Sequence, residues 1–397
     1  MNSSPHNGQS KKPESPGLPL LTAEEQAQHD KITQRLREEI AAAGGEISFD
    51  HFMELALYAP GLGYYAAGKT KFGKQGDFVT APELGPLFAR CLARPCQALL
   101  RQLGGGDILE VGAGSGVLAA DLLLDLESLG QLPKHYLILE LSADLRAHQI
   151  ETIRQKAPHL FGRISWLAEL PDKFRGMVVA NELLDAMPVT RFKVTETDIS
   201  ELYVGWENEH FVWREKPASA SVRARVEPLG LAAGYTSEIN LCAEAWVRSI
   251  ADILKQGTML LIDYGFPRSE FYHPQRSQGT LMCHYRHQAH DDPLRLVGLQ
   301  DITTHVDFSA IAEAATGAGL ALAGYTSQAA FLLSSGMEQI MGASDPNDTR
   351  AHLTLTQQVK KLTLPHEMGE LYKVIALARG VRESLPGFTL QDRRGRL

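Results

Sequence analysis

Three glycines in five residues, preceded by an acid in a short apolar run, form the part of the chain best suited to chemistry. The run is 108–111, its acid is Glu110, and the glycines are Gly112, Gly114 and Gly116. Glycines at this spacing let the backbone turn sharply after a buried strand, and they admit a ligand where a Cβ would clash. A helix is expected directly after them. The pattern is typical of a loop that holds a nucleoside cofactor.

The spacing of the glycines and the acid separates two cofactor classes. A dinucleotide loop has the pattern G-x-G-x-x-G and offers helix N–H groups to a pyrophosphate. Here Val117 occupies the position of the third glycine, and Glu110 would repel a pyrophosphate. S-adenosylmethionine carries a sulfonium and an ammonium and no phosphate, so an acid suits it better. The loop therefore resembles the first motif of class I methyltransferases; a glycine-rich turn without a ligand is the alternative.

A second acid is expected at the end of the next strand, where a carboxylate can accept both ribose hydroxyls of an adenosine. The segment 136–141 supplies this acid as Glu140, which is followed by Leu141. Residues 118–130 between the two acids have helical spacing and end in glycine. Strand, loop, helix, strand and acid thus come in the order that the cofactor requires, and we predict that Glu140 and Leu141 contact it.

Two further predicted strands also end in polar residues. The third strand is followed by Glu169, and the fourth by Asn181 and Glu182. Ligands bind at the carboxyl ends of strands in α/β proteins, so we place Glu169 and Asn181 among the cofactor-binding residues. If a helical turn begins after the fourth strand, Glu182 and Asp185 share one face at spacing i, i+3.

A long aperiodic segment precedes the glycine loop. Residues 61–83 are rich in glycine, lysine and tyrosine, and they end with Asp77, Thr80, Pro82 and Glu83. A stretch of this length inside a compact protein is either functional or disordered, and its aromatic residues argue against disorder. We expect Asp77, Thr80 and Pro82 to cover the cofactor. Glu83 closes with them and is placed on the substrate side; a surface Ω-loop is the alternative.

Four polar residues late in the chain are candidates for the substrate side of the site. Asp263 and Tyr264 follow a fifth predicted strand, whose carboxyl end lies at the same edge of the sheet. A packing role suits Tyr264 equally well. His305 and Asp307 could form a proton relay, although a histidine before an apolar helix is as often structural.

These residues require a sheet whose strands end together. Seven predicted strands alternate with helices, and the last two pair antiparallel, which is the arrangement of class I methyltransferases. We therefore predict an α/β fold with a Rossmann-like seven-stranded sheet, an N-terminal helical extension and inserted elements. The predicted strands are 108–111, 136–141, 163–168, 177–180, 259–262, 320–325 and 372–378.

We expect five regions along the chain. The first is a disordered polar tail, the second a helical region with the covering loop, and the third the cofactor-binding core with an inserted β ribbon at 189–215. The fourth holds substrate-side insertions and the last strands, and the fifth is an Arg-rich tail that we expect to be disordered. Their boundaries are 1–20, 21–105, 106–265, 266–380 and 381–397.

Composition and charge argue against several classes of protein. The chain of 397 residues has 39 Lys and Arg against 47 Asp and Glu, and its net charge of -8 argues against a dominant nucleic-acid surface. No apolar run reaches the roughly 20 residues of a membrane span, and the first residues lack a signal-peptide core. The four cysteines show neither a C-x-x-C pair nor zinc spacing. We predict a cytoplasmic protein without a metal site, and a homodimer is compatible with the sequence.

Five motifs in one order identify a family. They are Gly76–Glu83, Asn181–Pro188, Asp263–Gly265, Gly279–Leu281 and Gln300–Phe308. With them the chain resembles the MidA family over residues 36–378, and Ala81 and Met187 depart from its usual Ser and Leu without removing a charge. The resemblance implies a class I methyltransferase that transfers methyl from S-adenosylmethionine to a protein arginine, giving symmetric dimethylarginine. Mitochondrial members of the family assist complex I assembly, and the implied acceptor is its 49-kDa-type subunit.

Arginine chemistry places demands on the acidic residues. A guanidinium stays protonated at pH 7 and is a poor nucleophile, so carboxylates must hold its plane while a nearby base takes a proton. We assign Glu182 and then Asp185 to the acceptor, with Asn181 beside them as a third catalytic candidate. For Asp185, compensation of a helix dipole is the alternative. Two other functions stay open: methylation of another protein or of a small molecule, and an assembly chaperone with a vestigial cofactor site.

Overall fold

A computed structural model of the chain describes residues 19–67, 80–343, 345 and 347–397. The predicted N-terminal tail up to residue 18 and the candidate Asp77 lie outside the described residues. Among the helices that the structure describes, none is long and apolar enough to cross a membrane.

The strands of the described residues form three sheets. In chain order they are β1 (Glu46–Ser48), β2 (Asp107–Val111), β3 (Tyr136–Leu139), β4 (Ile164–Leu167), β5 (Phe174–Asn181), β6 (Thr190–Val194), β7 (Ile199–Glu207), β8 (His210–Pro217), β9 (Thr236–Ile239), β10 (Leu254–Phe266), β11 (Met282–Tyr285), β12 (Gln288–His290), β13 (Asp301–Thr303), β14 (Val306–Asp307), β15 (Ala321–Ser327) and β16 (Tyr372–Arg379). The strands β11, β12 and β13 form a small separate sheet.

The α-helices of the described residues lie before, between and after these strands. In chain order they are α1 (Ala23–Ala42), α2 (Phe49–Tyr58), α3 (Leu87–Leu103), α4 (Val117–Ser128), α5 (Ala143–Lys156), α6 (Ala220–Val226), α7 (Leu241–Ile253), α8 (Arg268–Phe271), α9 (Phe308–Gly317), α10 (Gln328–Ser334), α11 (Met337–Gly342), α12 (Thr349–Thr363) and α13 (Met368–Leu371).

The central sheet confirms the predicted fold class. Its strand order is β15-β16-β10-β5-β2-β3-β4, and the short β14 pairs with the end of β10. The strands from β10 to β4 are parallel, whereas β16 lies antiparallel between β15 and β10. All seven predicted strands are in this sheet. The carboxyl ends of its parallel strands meet at one edge, which positions the polar residues that follow them.

Helices cover both faces of the central sheet, so its strands are apolar on both sides. Within β2, Ile108 packs with α3 and α4 on one face, and the next residue, Leu109, packs with α7 and α9 on the other. Both side chains are fully buried. Burial of a side chain of this size contributes about 1.5–3 kcal/mol, which fixes the strand and with it the glycine loop that follows.

The N-terminal helix α1 begins where the sequence indicates. Thr22 and Glu25 form a capping box, in which Thr22 N donates to Glu25 Oε2 at 2.8 Å and Glu25 N donates to the Thr22 hydroxyl at 3.2 Å. Ile32, Leu36 and Ile40, which are spaced four residues apart on one face of α1, are buried. It packs in one apolar cluster with residues of α2 and of β7.

The predicted β ribbon is part of a larger antiparallel sheet. The strands β7 and β8 form the expected hairpin, with Asn208 and Glu209 at positive φ in its turn. On the other edge of β7 lie β1 and β6, and β9 pairs with β6. The expectation of 189–215 was therefore too narrow. A single hairpin is only marginally stable, and strands from distant parts of the chain complete this sheet.

The C-terminal segment is packed, so the expectation of a disordered tail was wrong. Leu385 and Phe388 are buried, and Phe388 packs against Phe331 of α10 with ring centroids 5.4 Å apart. Arg393 donates two hydrogen bonds, of 2.8 and 2.9 Å, to the carboxylate of Glu370. The Arg-rich composition suggested a solvated tail, but Arg393 pairs with Glu370 and Arg396 with Glu270, both of which lie outside the tail.

Candidate active site

The glycine loop between β2 and α4 has no room for side chains at two of its positions. Gly112, Gly114 and Gly116 have φ of 72, 52 and 82°, in the left-handed region. A Cβ on Gly112 would lie 2.9 Å from the side chain of Leu183, and one on Gly116 would lie 3.0 Å from Cα of Gln149. The loop therefore needs glycine for its backbone conformation and for its close neighbours.

Glu110 lies beneath the glycine loop, and both line a cavity at the carboxyl ends of the parallel strands. It is 2% exposed, and Tyr136 Oη donates a hydrogen bond of 2.7 Å to its carboxylate. Burial raises the pKa of Glu110 to about 7, and the hydrogen bond from Tyr136 opposes this rise. A nearby cation would restore the charged form of such a carboxylate.

Gln149 of α5 connects the glycine loop to the acid that follows β3. Its amide nitrogen donates to Glu140 Oε2 at 2.9 Å and to the Gly114 carbonyl at 3.1 Å. Its Oε1 accepts from Trp166 Nε1 at 2.9 Å, and Ser142 N donates to Glu140 Oε1 at 2.8 Å. Each Glu140 oxygen keeps a lone pair for a further donor such as a ribose hydroxyl. Sequence reasoning missed Gln149, because a glutamine within an amphipathic helix carries no motif.

The chain turns sharply after β5 at residues 182–187, the β5 turn. These residues do not form the expected helical turn. Glu182 has a φ of 51°. Asp263 Oδ2 accepts three backbone N–H groups, from Leu183 at 3.2 Å, Leu184 at 2.9 Å and Asp185 at 3.3 Å. The prediction of a shared helix face was therefore wrong. The turn nevertheless brings both Glu182 and Asp185 to the cavity.

Asp263 positions the β5 turn and does not face the substrate side, where we expected it. It is 1% exposed and is not among the described residues that line the cavity. Its Oδ1 accepts from the backbone N–H of Tyr264 at 2.9 Å. With both oxygens bonded to backbone N–H groups, the carboxylate fixes the path of the chain around the turn.

Glu182 is held by three hydrogen-bond donors from different parts of the chain. Tyr372 Oη on β16 donates to Oε2 at 3.0 Å, while Asn181 Nδ2 at 3.1 Å and Ala81 N at 3.4 Å donate to Oε1. Burial and the neighbouring Asp185 raise the pKa of Glu182 to about 7, although these hydrogen bonds lower it in part. The carboxylate is thus fixed in position and poised to ionise near neutral pH.

Asp185 lines the cavity next to Glu182. It is 5% exposed, and within the described part of the chain its Oδ1 has no hydrogen-bond partner. Burial raises the pKa of Asp185 to about 6, and a hydrogen bond from Tyr264 opposes the rise. Tyr264 packs edge-on against the rings of His305 and Tyr372. Its contact with the site is the hydrogen bond to Asp185. Its role combines packing with this contact.

A short turn at residues 81–84 brings the end of the covering loop onto the glycine loop. Thr80 and Pro82 line the cavity. Glu83 accepts a hydrogen bond from the hydroxyl of Ser115, which belongs to the glycine loop. Glu83 therefore lies against the glycine loop and also lines the cavity, and its placement on the substrate side stays a prediction.

The cavity at this edge of the sheet has a volume of about 1100 Å³. Pockets for single small molecules typically measure about 300–1,000 Å³, so this one has room for a cofactor and an acceptor group together. Nine carboxylates line it, whereas no lysine or arginine does so among the described residues. The nine residues are Asp50, Glu54, Glu83, Glu110, Glu140, Asp144, Glu182, Asp185 and Asp301.

Two tyrosines and an aspartate form a wall of the cavity that sequence reasoning missed. The rings of Tyr58 and Tyr65 stack with centroids 5.5 Å apart. Tyr65 Oη donates to Asp301 at 2.9 Å, and Tyr58 Oη donates to the Ala186 carbonyl at 2.8 Å. The aromatic content of the segment 61–83 was one available signal. Asp301 lies in a motif that was noted only for the family resemblance.

Two residues predicted to contact the cofactor, Glu169 and Leu141, lie at different distances from the cavity wall. Glu169 is exposed and is not among the described residues of the cavity wall, so its assignment to the cofactor stays a prediction that its position does not support. The edge strand β4 ends at Leu167, which pairs with the cavity-lining Leu139, and Glu169 follows two residues later. Leu141 is 83% exposed and lines the mouth of the cavity next to Glu140.

His305 and Asp307 do not form a proton relay in this cavity, contrary to one reading of the sequence. Asp307 caps α9 by accepting from Ser309 N at 3.0 Å and Ala310 N at 3.2 Å. Burial lowers the pKa of His305 to about 4, which keeps the ring neutral. Both residues line a second, smaller cavity.

The residues at the glycine loop fit S-adenosylmethionine. Its two positive groups match a cavity with carboxylates and, in the described ranges, no lysine or arginine to bind a phosphate. Gly112, Gly114 and Gly116 would cradle it, Glu110 would face its charge, and Glu140 would accept the ribose hydroxyls. When bound, this cofactor supplies an electrophilic methyl group on sulfur.

Comparison with known proteins agrees with this fit. Residues 91–326 match the family model described as "Putative S-adenosyl-L-methionine-dependent methyltransferase". A Burkholderia thailandensis protein crystallised with S-adenosyl-homocysteine is 47% identical, covers 96% of this chain and 100% of its own, and superposes with a TM-score of 0.93.

Curated relatives carry a more specific name. "Protein arginine methyltransferase NDUFAF7, mitochondrial" of Danio rerio is 28% identical over 88% of this chain and 87% of its own. The homologue of Drosophila melanogaster is 25% identical over 91% and 88%. The family model, the cofactor-bound neighbour and the sequence motifs agree. The chain therefore belongs to the MidA family of S-adenosylmethionine-dependent methyltransferases.

Proposed function

We propose that the acceptor of the methyl group is a protein arginine, which the chain converts to symmetric dimethylarginine. The observation that carries the proposal is the cavity with nine carboxylates and, among its described residues, no lysine or arginine. Such a wall suits two cations at once, a sulfonium donor and a guanidinium acceptor, and it disfavours phosphate or carboxylate substrates. The names of the curated relatives support arginine as the acceptor.

Glu182 and Asp185 hold the guanidinium in this proposal. A guanidinium offers five N–H donors in one plane, and a carboxylate can accept two of them side by side. Glu182 is fixed by Tyr372 and Asn181, so it sets that plane. The approach of a cation lowers the raised pKa of both carboxylates, so they are ionised when the acceptor is bound.

Asp185 takes the proton that the guanidinium must release. As the new N–C bond forms and the S–C bond breaks, the reacting nitrogen loses one proton to the carboxylate of Asp185. Burial raises the pKa of this carboxyl group to about 6, which suits a proton acceptor. The Tyr58 and Tyr65 wall offers a ring face against which a guanidinium can stack.

The acceptor class is tested with radiolabelled S-adenosylmethionine and matched peptides. Peptides with one arginine, with lysine in its place, or with citrulline, which is neutral and nearly isosteric, are compared. We expect label only in the arginine peptide and symmetric dimethylarginine on hydrolysis. Label in lysine or in a small metabolite alone would overturn the arginine assignment while leaving the methyltransferase intact.

As the acceptor protein we propose a complex I subunit of the 49-kDa type, on the family resemblance alone. Mass spectrometry of that subunit from cells with and without this chain tests the proposal. We expect one arginine to lose its two methyl groups when the chain is absent. An unchanged subunit would direct the search to another protein.

A further inference from the structure

Gln149 of α5 is a buried amide that contacts the cofactor site from behind. It is 0% exposed and is not among the described residues that line the cavity of the candidate active site. Its backbone lies against the glycine loop, since a Cβ on Gly116 would lie 3.0 Å from Cα of Gln149. Burial of an amide is costly unless its donors and its oxygen find partners, so the bonds of this side chain explain its place in the fold.

Both donors and the oxygen of the Gln149 amide have partners. Nε2 donates to Glu140 Oε2 at 2.9 Å and to the Gly114 carbonyl at 3.1 Å. Oε1 accepts from the indole Nε1 of Trp166 at 2.9 Å. An apolar side chain such as leucine would fill the same space, so the amide is explained by the two acceptors that it joins.

Trp166 decides which way the amide faces. An indole N–H can only donate a hydrogen bond, so it must meet the amide oxygen. If the amide were reversed, Nε2 would face the indole N–H, and Oε1 would face the Glu140 carboxylate and the Gly114 carbonyl. Trp166 lies on β4 and packs against Phe161 with ring centroids 5.8 Å apart. A donor on the edge strand therefore sets the orientation of the amide.

Glu140 is held in one position through this amide. Ser142 N donates to Oε1 at 2.8 Å, and Gln149 donates to Oε2. Burial raises the pKa of Glu140, and these hydrogen bonds oppose the rise, so they favour the ionised form, which can only accept. Glu140 lines the cavity, and a side chain that is already ordered binds two hydroxyls without the cost of ordering it.

We propose that Gln149 and Trp166 are positioning residues for the cofactor and set its preference for ribose. Trp166 orients the amide, the amide holds Glu140 and the glycine loop in one geometry, and Glu140 accepts the ribose hydroxyls. Neither Gln149 nor Trp166 is among the described residues of the cavity wall, so both act through Glu140 and Gly114. The proposal rests on the cofactor site and does not depend on arginine as the methyl acceptor.

The test compares S-adenosylhomocysteine with its 2′-deoxy analogue by calorimetry of the full chain. The parent protein should bind the ribose form about tenfold more tightly or better, because a missing hydroxyl leaves an oxygen of Glu140 without its donor. Gln149→Leu removes both donors and should lower this ratio of affinities to about threefold or less. Trp166→Phe keeps an aromatic ring, removes the indole N–H and should lower the ratio to an intermediate value. A general loss of packing would weaken both compounds equally and leave the ratio unchanged.

Gln328→Leu is the matched control. Gln328 is also a fully buried helical glutamine, donates to the Leu362 carbonyl at 3.1 Å and is not among the described residues of the cavity wall. It should keep the affinities of the parent for both compounds, and thermal unfolding reports whether each variant is folded. If Gln149→Leu does not fold, Trp166→Phe decides. An unchanged ratio in the folded variants, the same fall in Gln328→Leu, or no preference for ribose in the parent would each overturn the proposal.

The bond between Trp166 and Gln149 also has a spectroscopic readout. The indole N–H signal of Trp166 in a proton–nitrogen NMR spectrum is identified by its absence in Trp166→Phe. In Gln149→Leu this signal should move upfield and exchange faster with solvent, because the N–H has lost its acceptor. It should stay in place in Gln328→Leu. An unmoved signal in Gln149→Leu would overturn the role of Trp166 in orienting the amide.

Discussion

At the scale of single residues, the proposed chemistry depends most on Glu182. Its φ of 51° is unusual for a residue with a side chain, and it persists because the donors Tyr372, Asn181 and Ala81 fix the carboxylate. Strain of this kind is retained where the position of a side chain matters to function. Glu182 also lies with Asp185 on the wall of the cavity.

We expect Glu182→Gln to lower kcat by about 100-fold, because an amide cannot accept two N–H groups of a guanidinium. The affinity for S-adenosylhomocysteine should stay within about threefold of the parent. Steady-state kinetics with an arginine peptide and calorimetry with the cofactor product measure the two effects. Tyr372→Phe, which removes one hydrogen bond from the same carboxylate, should cost less. A full loss of cofactor affinity in Glu182→Gln would contradict its assignment to the acceptor.

Gly114→Val should abolish cofactor binding. The φ of 52° at Gly114 is costly for any side chain and most costly for a β-branched one, and the carbonyl of Gly114 is bonded to Gln149. The matched control is Gly130→Val, because Gly130 also has positive φ and no atom within 4 Å of an added Cβ. Calorimetry should show wild-type affinity for S-adenosylhomocysteine only in the control. Equal affinity in both variants would remove the glycine loop from the cofactor site.

At the scale of elements, the sequence predicted the sheet because its signals are local. Apolar runs, helical spacing and glycines mark each strand and helix within about ten residues, and the acids at strand ends follow from the rule that parallel strands end at one edge. This reasoning found the strands of the central sheet, including the antiparallel pair β15 and β16. It also brought Glu110, Glu140 and Glu182 to one cavity.

The contacts that hold the site could not be predicted, because they join residues far apart in the sequence. Tyr372 and Glu182 are separated by 190 positions, and Tyr65 and Asp301 by 236. No motif marks such a pair before the fold is known. Glu169 shows the limit of the rule about strand ends, because β4 ends beside Leu139 of the cavity wall and yet Glu169, two residues later, is not among the described lining residues.

The β5 turn is the element whose geometry depends on one remote carboxylate. Asp263→Asn replaces an acceptor of three N–H groups by an uncharged one that also carries donors. We expect a loss of stability of about 2–4 kcal/mol and a fall in kcat that exceeds any change in cofactor affinity. Saturating peptide should therefore not restore the parent rate, because the displaced turn lowers kcat itself and does not only raise KM.

The control for Asp263→Asn is Asp107→Asn at the opposite end of the sheet. Asp107 accepts from His135 N at 2.9 Å, so its change also removes a charged acceptor from a backbone group. Chemical denaturation and steady-state kinetics are compared for both variants. An equal fall in kcat for the two would mean that Asp263 acts only through global stability.

At the scale of the whole molecule, the fold brings nine acidic side chains to the wall of one cavity. Among the described residues of this wall there is no lysine or arginine to neutralise them. Burial raises the pKa of Glu110 and Glu182 to about 7 and that of Asp185 to about 6. The protein without ligand therefore carries carboxylates whose ionised form is disfavoured in the folded state. Two bound cations relieve this cost, which couples ligand binding to stability.

The free energy of unfolding of the ligand-free protein should therefore fall as the pH rises. A group whose pKa is raised by folding stabilises the protein fully below its unfolded value, here about 4.5 for Glu110, and this stability is lost as the pH rises through about 7. For Glu110, which is 2% exposed, the effect amounts to about 3 kcal/mol. Thermal unfolding at pH 5, 6, 7 and 8 measures it. Glu110→Gln keeps an acceptor for Tyr136 and removes the titration, so its unfolding should depend less on pH.

S-adenosylmethionine should reverse this trend, because its positive groups stabilise the ionised carboxylates. The rise in Tm on adding it should therefore increase from pH 5 to pH 8 in the parent protein and stay nearly constant in Glu110→Gln. Equal pH dependence in the two proteins would mean that Glu110 is ionised throughout and that some other group binds the cofactor's charge. A difference confined to the parent would instead tie affinity for the cofactor to the one buried acid from which the glycine loop begins.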